Sequence, residues 1–101
     1  MNLQTTTKNI SEYFAVCSKL KLDKEKYFGF YQDIKNNIEM LYPTPDSLAH
    51  FESLLVKYEP KGNQVFDMEM VSVMLANNIM GIATINKKDF EHISEIRLFD
   101  F

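Results

Sequence analysis

The chain has 101 residues, of which 46% are hydrophobic and 25% charged, and its formal net charge is −3. These values predict one soluble globular domain over residues 1–101, and the acidic balance argues against nucleic-acid binding through a broad basic surface. No apolar run approaches the ~20 residues of a membrane helix and no secretory leader is visible. The single Cys17 excludes a disulfide within the chain, so a reducing cytoplasmic location is expected.

The first predicted elements are a strand end and two helices. Residues 3–6 are predicted as a strand end, and Thr7 is expected to cap a helix running to about Leu20. Asp23 is expected to cap a second helix with a regular apolar stripe. That stripe consists of Tyr27, Tyr31, Ile34, Ile38 and Leu41. The end of the second helix stays open, because residues 38–42 precede two prolines and could instead form a strand.

The remaining sequence predicts two more helices and two short strands. Residues 44–46, Thr-Pro-Asp, are typical of a helix start, since a capping oxygen, a proline and an acid follow one another. This helix should reach about Tyr58. Its expected buried side chains are Leu48, Phe51, Leu55 and Tyr58. Residues 65–76 predict a helix that is apolar nearly all round and therefore buried, and residues 79–84 and 96–99 predict strands.

The alternation of strands and helices indicates the fold class. It favours an α/β fold with a parallel sheet flanked by helices. Ligands of such folds bind at the carboxyl ends of the strands. Residues 84–89 lie just past one predicted strand end, so this turn is a candidate site.

Three acids on separate elements are the candidate catalytic and metal-binding residues. Glu12 lies on the first helix, Asp67 opens the apolar helix, and Asp89 ends the turn after a strand. Mg²⁺ and Mn²⁺ prefer oxygen ligands, and such a cation promotes phosphodiester hydrolysis by neutralising phosphate charge and activating water. Each acid also has a structural explanation, since Asp67 and Asp89 could cap helical turns and Glu12 could interact with a helix dipole.

The order of these residues resembles the PIN-domain nuclease family. The segment Thr84-Ile85-Asn86-Lys87-Lys88-Asp89-Phe90 is similar to the family signature of a strand followed by Thr, any residue, Asn, two residues, Asp and Phe. Residues 65–71 resemble the family's helix opening with its acid, and residues 6–14 resemble the segment with its early acid. The resemblance implies a PIN-like three-layer α/β/α fold and a metal-dependent endoribonuclease, similar to the toxin of a bacterial toxin–antitoxin pair.

The resemblance also implies roles and partners. The three acids would be catalytic residues and ligands of Mg²⁺ or Mn²⁺. Thr84 and Asn86 would shape the loop and orient water or a carboxylate, while Lys87 and Lys88 would contact phosphate. The implied partners are single-stranded RNA or transfer RNA, a second copy in a homodimer, and an antitoxin protein.

One departure from the family concerns its first strand. PIN domains begin with a central strand that ends in an Asp, whereas this sequence enters at what would be the second strand. We therefore expect a fold without its first central strand and a metal site that lacks one acid. The absent strand and acid could belong to residues missing from this sequence or be provided by another chain. Alternatively, the domain has decayed and nothing replaces them. The alternatives are a non-catalytic PIN remnant that acts as a binding or assembly protein, and an unrelated small α/β interaction module whose acids only cap helices.

Overall fold

Helices alternate with short parallel strands along the chain, as the sequence predicts for an α/β protein. A computed structural model describes residues 4–84 and 87–99. Within those ranges, no helix has the length and hydrophobicity that membrane crossing requires. Internal contacts divide the chain between Tyr42 and Pro43 into two compact units. The expectation of one domain over residues 1–101 stays a prediction.

The first unit consists of two strands and two helices. These are β1 (Gln4–Thr6), α1 (Thr7–Lys19), α2 (Lys24–Asn37) and β2 (Glu39–Leu41). β1 and β2 pair in parallel, with Thr6 opposite Leu41. Thr6, and not Thr7 as predicted, caps α1, because its hydroxyl oxygen accepts a hydrogen bond from the Asn9 N–H at 3.2 Å. Residues 39–41 form a strand, which decides the ambiguity at the end of α2.

Aromatic side chains pack α1 against α2. The Phe14 ring lies between 5.1 and 5.8 Å, centroid to centroid, from the rings of Tyr27, Phe28 and Tyr31. The Tyr13 hydroxyl donates a hydrogen bond to the Tyr27 carbonyl at 2.7 Å. Tyr27 and Tyr31 are half-buried. The part of the predicted stripe that lies within α2 thus faces inward, whereas Ile38 caps the helix and Leu41 belongs to β2.

The second unit contains two longer helices followed by short elements. These are α3 (Pro45–Tyr58), α4 (Gln64–Ala76), β3 (Gly81–Ile82), a 3₁₀ helix (Lys87–Asp89) and β4 (Arg97–Leu98). β3 and β4 pair in parallel, with Gly81 opposite Arg97, and both strands are shorter than predicted. The predicted start of α3 is confirmed, because Thr44 and Ser47 form a capping box and Pro45 occupies the first turn.

α3 and α4 pack together around the core of the second unit. Its buried members are Leu54, Met68, Val71, Met74, Phe90, Ile93 and Ile96. The predicted inner face of α3 is wrong at one position, because Leu48 is 56% exposed whereas Leu54 is only 2% exposed. The face that turns inward carries Ser47, Phe51, Leu54 and Tyr58. These positions are three or four residues apart and so share one side of the helix. Leu48 lies next to this side and not on it.

Candidate functional site

Asp67 lies in the first turn of α4 and is half-buried. The next residue, Met68, is fully buried in the core and fixes this turn in place. Asn63 is the N-cap residue of α4, and its side chain makes no capping hydrogen bond. Asp67 is therefore not the helix cap, which was its structural alternative. Its position still benefits from the positive end of the helix dipole, which favours a carboxylate in the first turn.

Asp89 is the last residue of the 3₁₀ helix and is exposed. The N–H groups of Phe90 and Glu91 both donate to the Lys87 carbonyl, at 3.1 and 2.9 Å, which closes the turn around Asp89. Phe90 follows directly and is only 6% exposed. A buried aromatic anchor next to an exposed acid places the carboxylate at the surface on a tightly hydrogen-bonded turn.

Glu12 lies in the middle of α1 and is exposed. It forms an ion pair with Lys8, one helical turn earlier, in which the Lys8 Nζ lies 3.7 Å from the Glu12 Oε1. Such exposed pairs contribute little to stability, about 0.3–0.5 kcal/mol. The first turn of α1 contains no acid, so the explanation of Glu12 as a first-turn acid is wrong.

The supporting residues of the predicted site lie around the loop after β3. Thr84 is half-buried and follows β3 by two residues. Lys87, which begins the 3₁₀ helix, is half-buried, and Lys88 is exposed. Asn86 lies outside the described residues. The two lysines therefore occupy the turn that carries Asp89.

The predicted metal ligands are divided between the two units. Glu12 belongs to the first unit, and Asp67 and Asp89 belong to the second. No group of three or more His, Cys, Asp or Glu side chains that could hold a metal ion is present within residues 4–84 and 87–99. The donor chemistry of Asp67 and Asp89 still fits Mg²⁺, which keeps several waters and takes one or two protein carboxylates beside substrate phosphates. The full ligand set stays a prediction.

A polar cluster at the end of α3 was not predicted from the sequence. The Lys57 Nζ lies 3.1 Å from both the Ser94 Oγ and the Glu95 Oε2. The Tyr58 hydroxyl donates to the Glu95 carboxylate and accepts from the Ser94 N–H at 2.9 Å. The Tyr58 and His92 rings also meet edge to face at 5.6 Å. No local pattern could have revealed this cluster, because its two halves are 36 to 38 residues apart.

The cluster shifts the acid–base behaviour of its charged members. Hydrogen bonding to Glu95 and Tyr58 raises the pKa of Lys57 above its ordinary value. Burial acts to raise the pKa of Glu95, but the hydrogen bonds from Tyr58 and Lys57 outweigh it, so this pKa is lowered. Both shifts favour the charged forms, and the cluster therefore joins α3 to residues 94–95 as an ion pair near neutral pH.

Comparison with known proteins gives the fold but no family. No protein-family model and no curated protein matches this chain. In the 2.2 Å resolution structure of VapBC-1 from nontypeable Haemophilus influenzae, a chain is similar with a TM-score of 0.77 at 20% identity, over 98% of this chain and 74% of that one. In the crystal structure of VapBC2 from Rickettsia felis bound to a DNA fragment from their promoter, the TM-score is 0.83 at 20% identity, over 99% and 75%. The chain shares the fold of these VapBC chains.

Proposed function

We propose that this chain is a PIN-like domain related to the toxin half of a VapBC-type toxin–antitoxin pair. The observation that carries the proposal is the VapBC-like fold over nearly the whole chain, with a TM-score of 0.83 to one such chain. The sequence supplies independent support, because the PIN-like segment at residues 84–90 begins two residues after the end of β3. An antitoxin protein is accordingly the proposed partner, and the cytoplasm is the proposed location.

We further propose that the fold is the three-layer α/β/α arrangement of PIN domains. Every strand pairing among the described residues is parallel, which is the pairing that this architecture uses. Each described strand pairs with one other strand only, so each has an edge without a strand partner in the described ranges. Such edges are where a further strand would be added.

The proposed activity is metal-dependent cleavage of single-stranded RNA or transfer RNA. Asp67 and Asp89 would hold Mg²⁺ or Mn²⁺ together with Glu12. The proposed oligomeric state is a homodimer. The bound cation supplies charge neutralisation and an activated water. Lys87 and Lys88 would neutralise the RNA phosphate at the turn of Asp89, while Thr84 and Asn86 would shape the loop.

Calorimetric titration with Mn²⁺ tests the metal site without requiring the right RNA. We expect saturable binding, with an affinity that Asp67→Asn and Asp89→Asn each lower about tenfold or more. Removing a residue that only hydrogen-bonds to a metal ligand already lowers metal affinity by about tenfold or more, and removing the ligand itself should lower it at least as much. Asp46→Asn is the matched control, because Asp46 is also an acid in the first turn of a helix but lies at the start of α3. The Asp46→Asn variant should bind Mn²⁺ with the same affinity as the unchanged chain.

A titration in which both variants bind Mn²⁺ as the unchanged chain does would reject the assignment of these acids. Circular dichroism of each variant shows whether the fold is kept. If the carboxylates do bind the metal, an RNA panel follows, and cleavage that survives Asp89→Asn unchanged would reject the catalytic role.

The second candidate is a non-catalytic remnant of the same fold that acts as a binding or assembly protein. The observation that favours it is that no group of three metal-ligating side chains occurs among residues 4–84 and 87–99. This candidate predicts no Mn²⁺ binding by a folded chain and no cleavage of any RNA. Robust cleavage that requires both Mn²⁺ and Asp89 would exclude it.

A further inference from the structure

A groove of about 580 Å³ runs along the second unit between the start of α3 and the middle of α4. Its volume falls within the range of sites that bind ligand-sized groups, roughly 300–1,000 Å³. The walls are largely apolar and include Pro43, Pro45, Leu48, Phe51 and Val73. Asp67, Thr84 and Asp89 of the candidate metal site are not among the described residues that line the groove.

The polar atoms that line the groove are nearly all occupied by the protein itself. Ser47 donates its N–H to the Thr44 hydroxyl and its own hydroxyl to the Thr44 carbonyl. The Leu48 N–H also donates to the Thr44 carbonyl, so the N–H groups of Ser47 and Leu48 are not free to hold an anion. The Ser72 hydroxyl donates to the Glu69 carbonyl. A polar ligand therefore finds few hydroxyl or amide groups here.

The Glu69 carboxylate is the exception. It is the charged group among the residues that line the groove. Glu69 is half-buried, and within the described residues it has no ion-pair partner. A carboxylate beside apolar walls attracts a cation more strongly than one in open water, because the local dielectric constant is lower. Among the described lining residues, the chemistry of the groove is thus apolar with a single negative charge.

Leu48 gives the groove an exposed apolar wall. It is 56% exposed although its place in the helical repeat suggested burial. Phe51, one turn further along α3, is half-buried and lines the same groove. A large apolar group placed between them would leave water, which contributes roughly 25 cal/mol per Å² of apolar surface removed. Because Leu48 is exposed, this wall of the groove is accessible to an apolar side chain of an incoming polypeptide.

We propose that this groove binds a segment of a partner polypeptide in which a large apolar side chain lies next to a lysine or arginine. The apolar side chain lies between Leu48 and Phe51, and the cationic group pairs with Glu69. The proposal does not depend on the metal site or on RNA cleavage, so it can fail or succeed independently of the proposed function.

The test is a titration of the full chain, followed by two-dimensional NMR, with the peptide acetyl-Lys-Leu-Lys-amide. Two matched peptides separate the two contributions: acetyl-Glu-Leu-Glu-amide reverses the charge, and acetyl-Lys-Ala-Lys-amide removes the large apolar side chain. We expect saturable shifts at the groove residues with the first peptide, weaker binding of the alanine peptide, and the weakest binding of the acidic peptide.

Matched variants connect the binding to named side chains. Glu69→Gln should weaken the Lys-Leu-Lys peptide about threefold, the size expected for one partly exposed ion pair, and should abolish the preference over the acidic peptide. Leu48→Ser should weaken both leucine-containing peptides. The controls are Glu52→Gln and Val56→Ser, because these exposed residues of α3 do not line the groove.

Three outcomes would overturn the proposal. The first is an absence of saturable shifts at the groove with the folded chain. The second is equal binding of the acidic and basic peptides. The third is a set of concentration-dependent shifts at the groove residues without any peptide, which would mean that a second copy of this chain occupies the groove.

Discussion

The carboxylate of Glu95 shows how a single residue can tie distant parts of the chain together. It accepts hydrogen bonds from Tyr58 and Lys57 at the end of α3, and it directly precedes Ile96, which is 8% exposed. Asp89 of the candidate site differs from it, since Asp89 is exposed on a surface turn. An acid with protein partners serves stability, whereas an acid that faces water can serve ligand binding.

The polar cluster predicts a pH dependence of stability at its acidic end. The pKa of Glu95 is lowered in the folded chain, so its contribution is complete above the ordinary glutamate value of 4.5 and is lost as the pH falls through the lowered pKa. We expect Glu95→Gln to reduce Tm at pH 7, and we expect the difference from the unchanged chain to shrink as the pH falls below 4.5. Thermal unfolding between pH 3 and 7 measures this.

Glu91→Gln is the control, because Glu91 is exposed and close in sequence. Tyr58→Phe should cost about 1 kcal/mol of unfolding free energy at neutral pH, the ordinary net value of a hydrogen bond. A constant difference in Tm between Glu95→Gln and the unchanged chain at every pH would contradict the assigned role.

The raised pKa of Lys57 affects stability at alkaline pH. The stabilising contribution of the charged Lys57 is lost only as the pH rises above about 10.5.

At the scale of elements, α3 shows which parts of a helix a sequence predicts well. Its start at Thr44 and Pro45 is encoded by neighbouring residues, and the structure agrees with the prediction. Its inward face is a different matter, because Leu48, Leu54 and Leu55 are all apolar and more than one stripe is consistent with helical spacing. Packing against α4 selects the stripe with Leu54, and the sequence of α3 alone does not contain that choice.

Because Leu54 faces the core and Leu48 faces solvent, the same leucine-to-alanine substitution should lower stability by different amounts at these two positions. Leu54→Ala should cost about 2–5 kcal/mol, because Leu54 is 2% exposed and its removal leaves a cavity in the core. Leu48→Ala should change stability by no more than about 0.5 kcal/mol, because the side chain is mostly in water. Urea unfolding of the two variants gives the comparison, and similar losses in both would show that Leu48 is buried in solution.

The candidate site illustrates the limit of the sequence at the same scale. The order of Glu12, Asp67 and Asp89 and the turn after β3 could be recognised from residue types and spacing. Their helix and turn positions in the structure follow from local signals such as the buried Phe90 beside Asp89. Whether the three carboxylates meet depends on contacts between elements, and the network of Lys57 and Glu95 was missed for the same reason.

At the scale of the whole molecule, fold and function are supported to different depths. The α/β class could be predicted because helical spacing, caps and prolines are local, and the likeness to VapBC chains at 20% identity agrees with it. Such a likeness extends to the backbone arrangement. Function depends on side chains, and for this reason the proposed nuclease site and the groove each have a separate experiment.

The parallel pairing of β1 with β2 has a consequence for how the chain folds. Gln4 and Glu39 lie opposite one another although they are 35 positions apart in the sequence, and α1 and α2 occupy the intervening chain. The two helices form through contacts between nearby residues, on a timescale of about a microsecond. The two strands can pair only after the long intervening chain has brought its ends together. We therefore expect the helical hairpin to appear early during folding and the register of β1 and β2 to be established late.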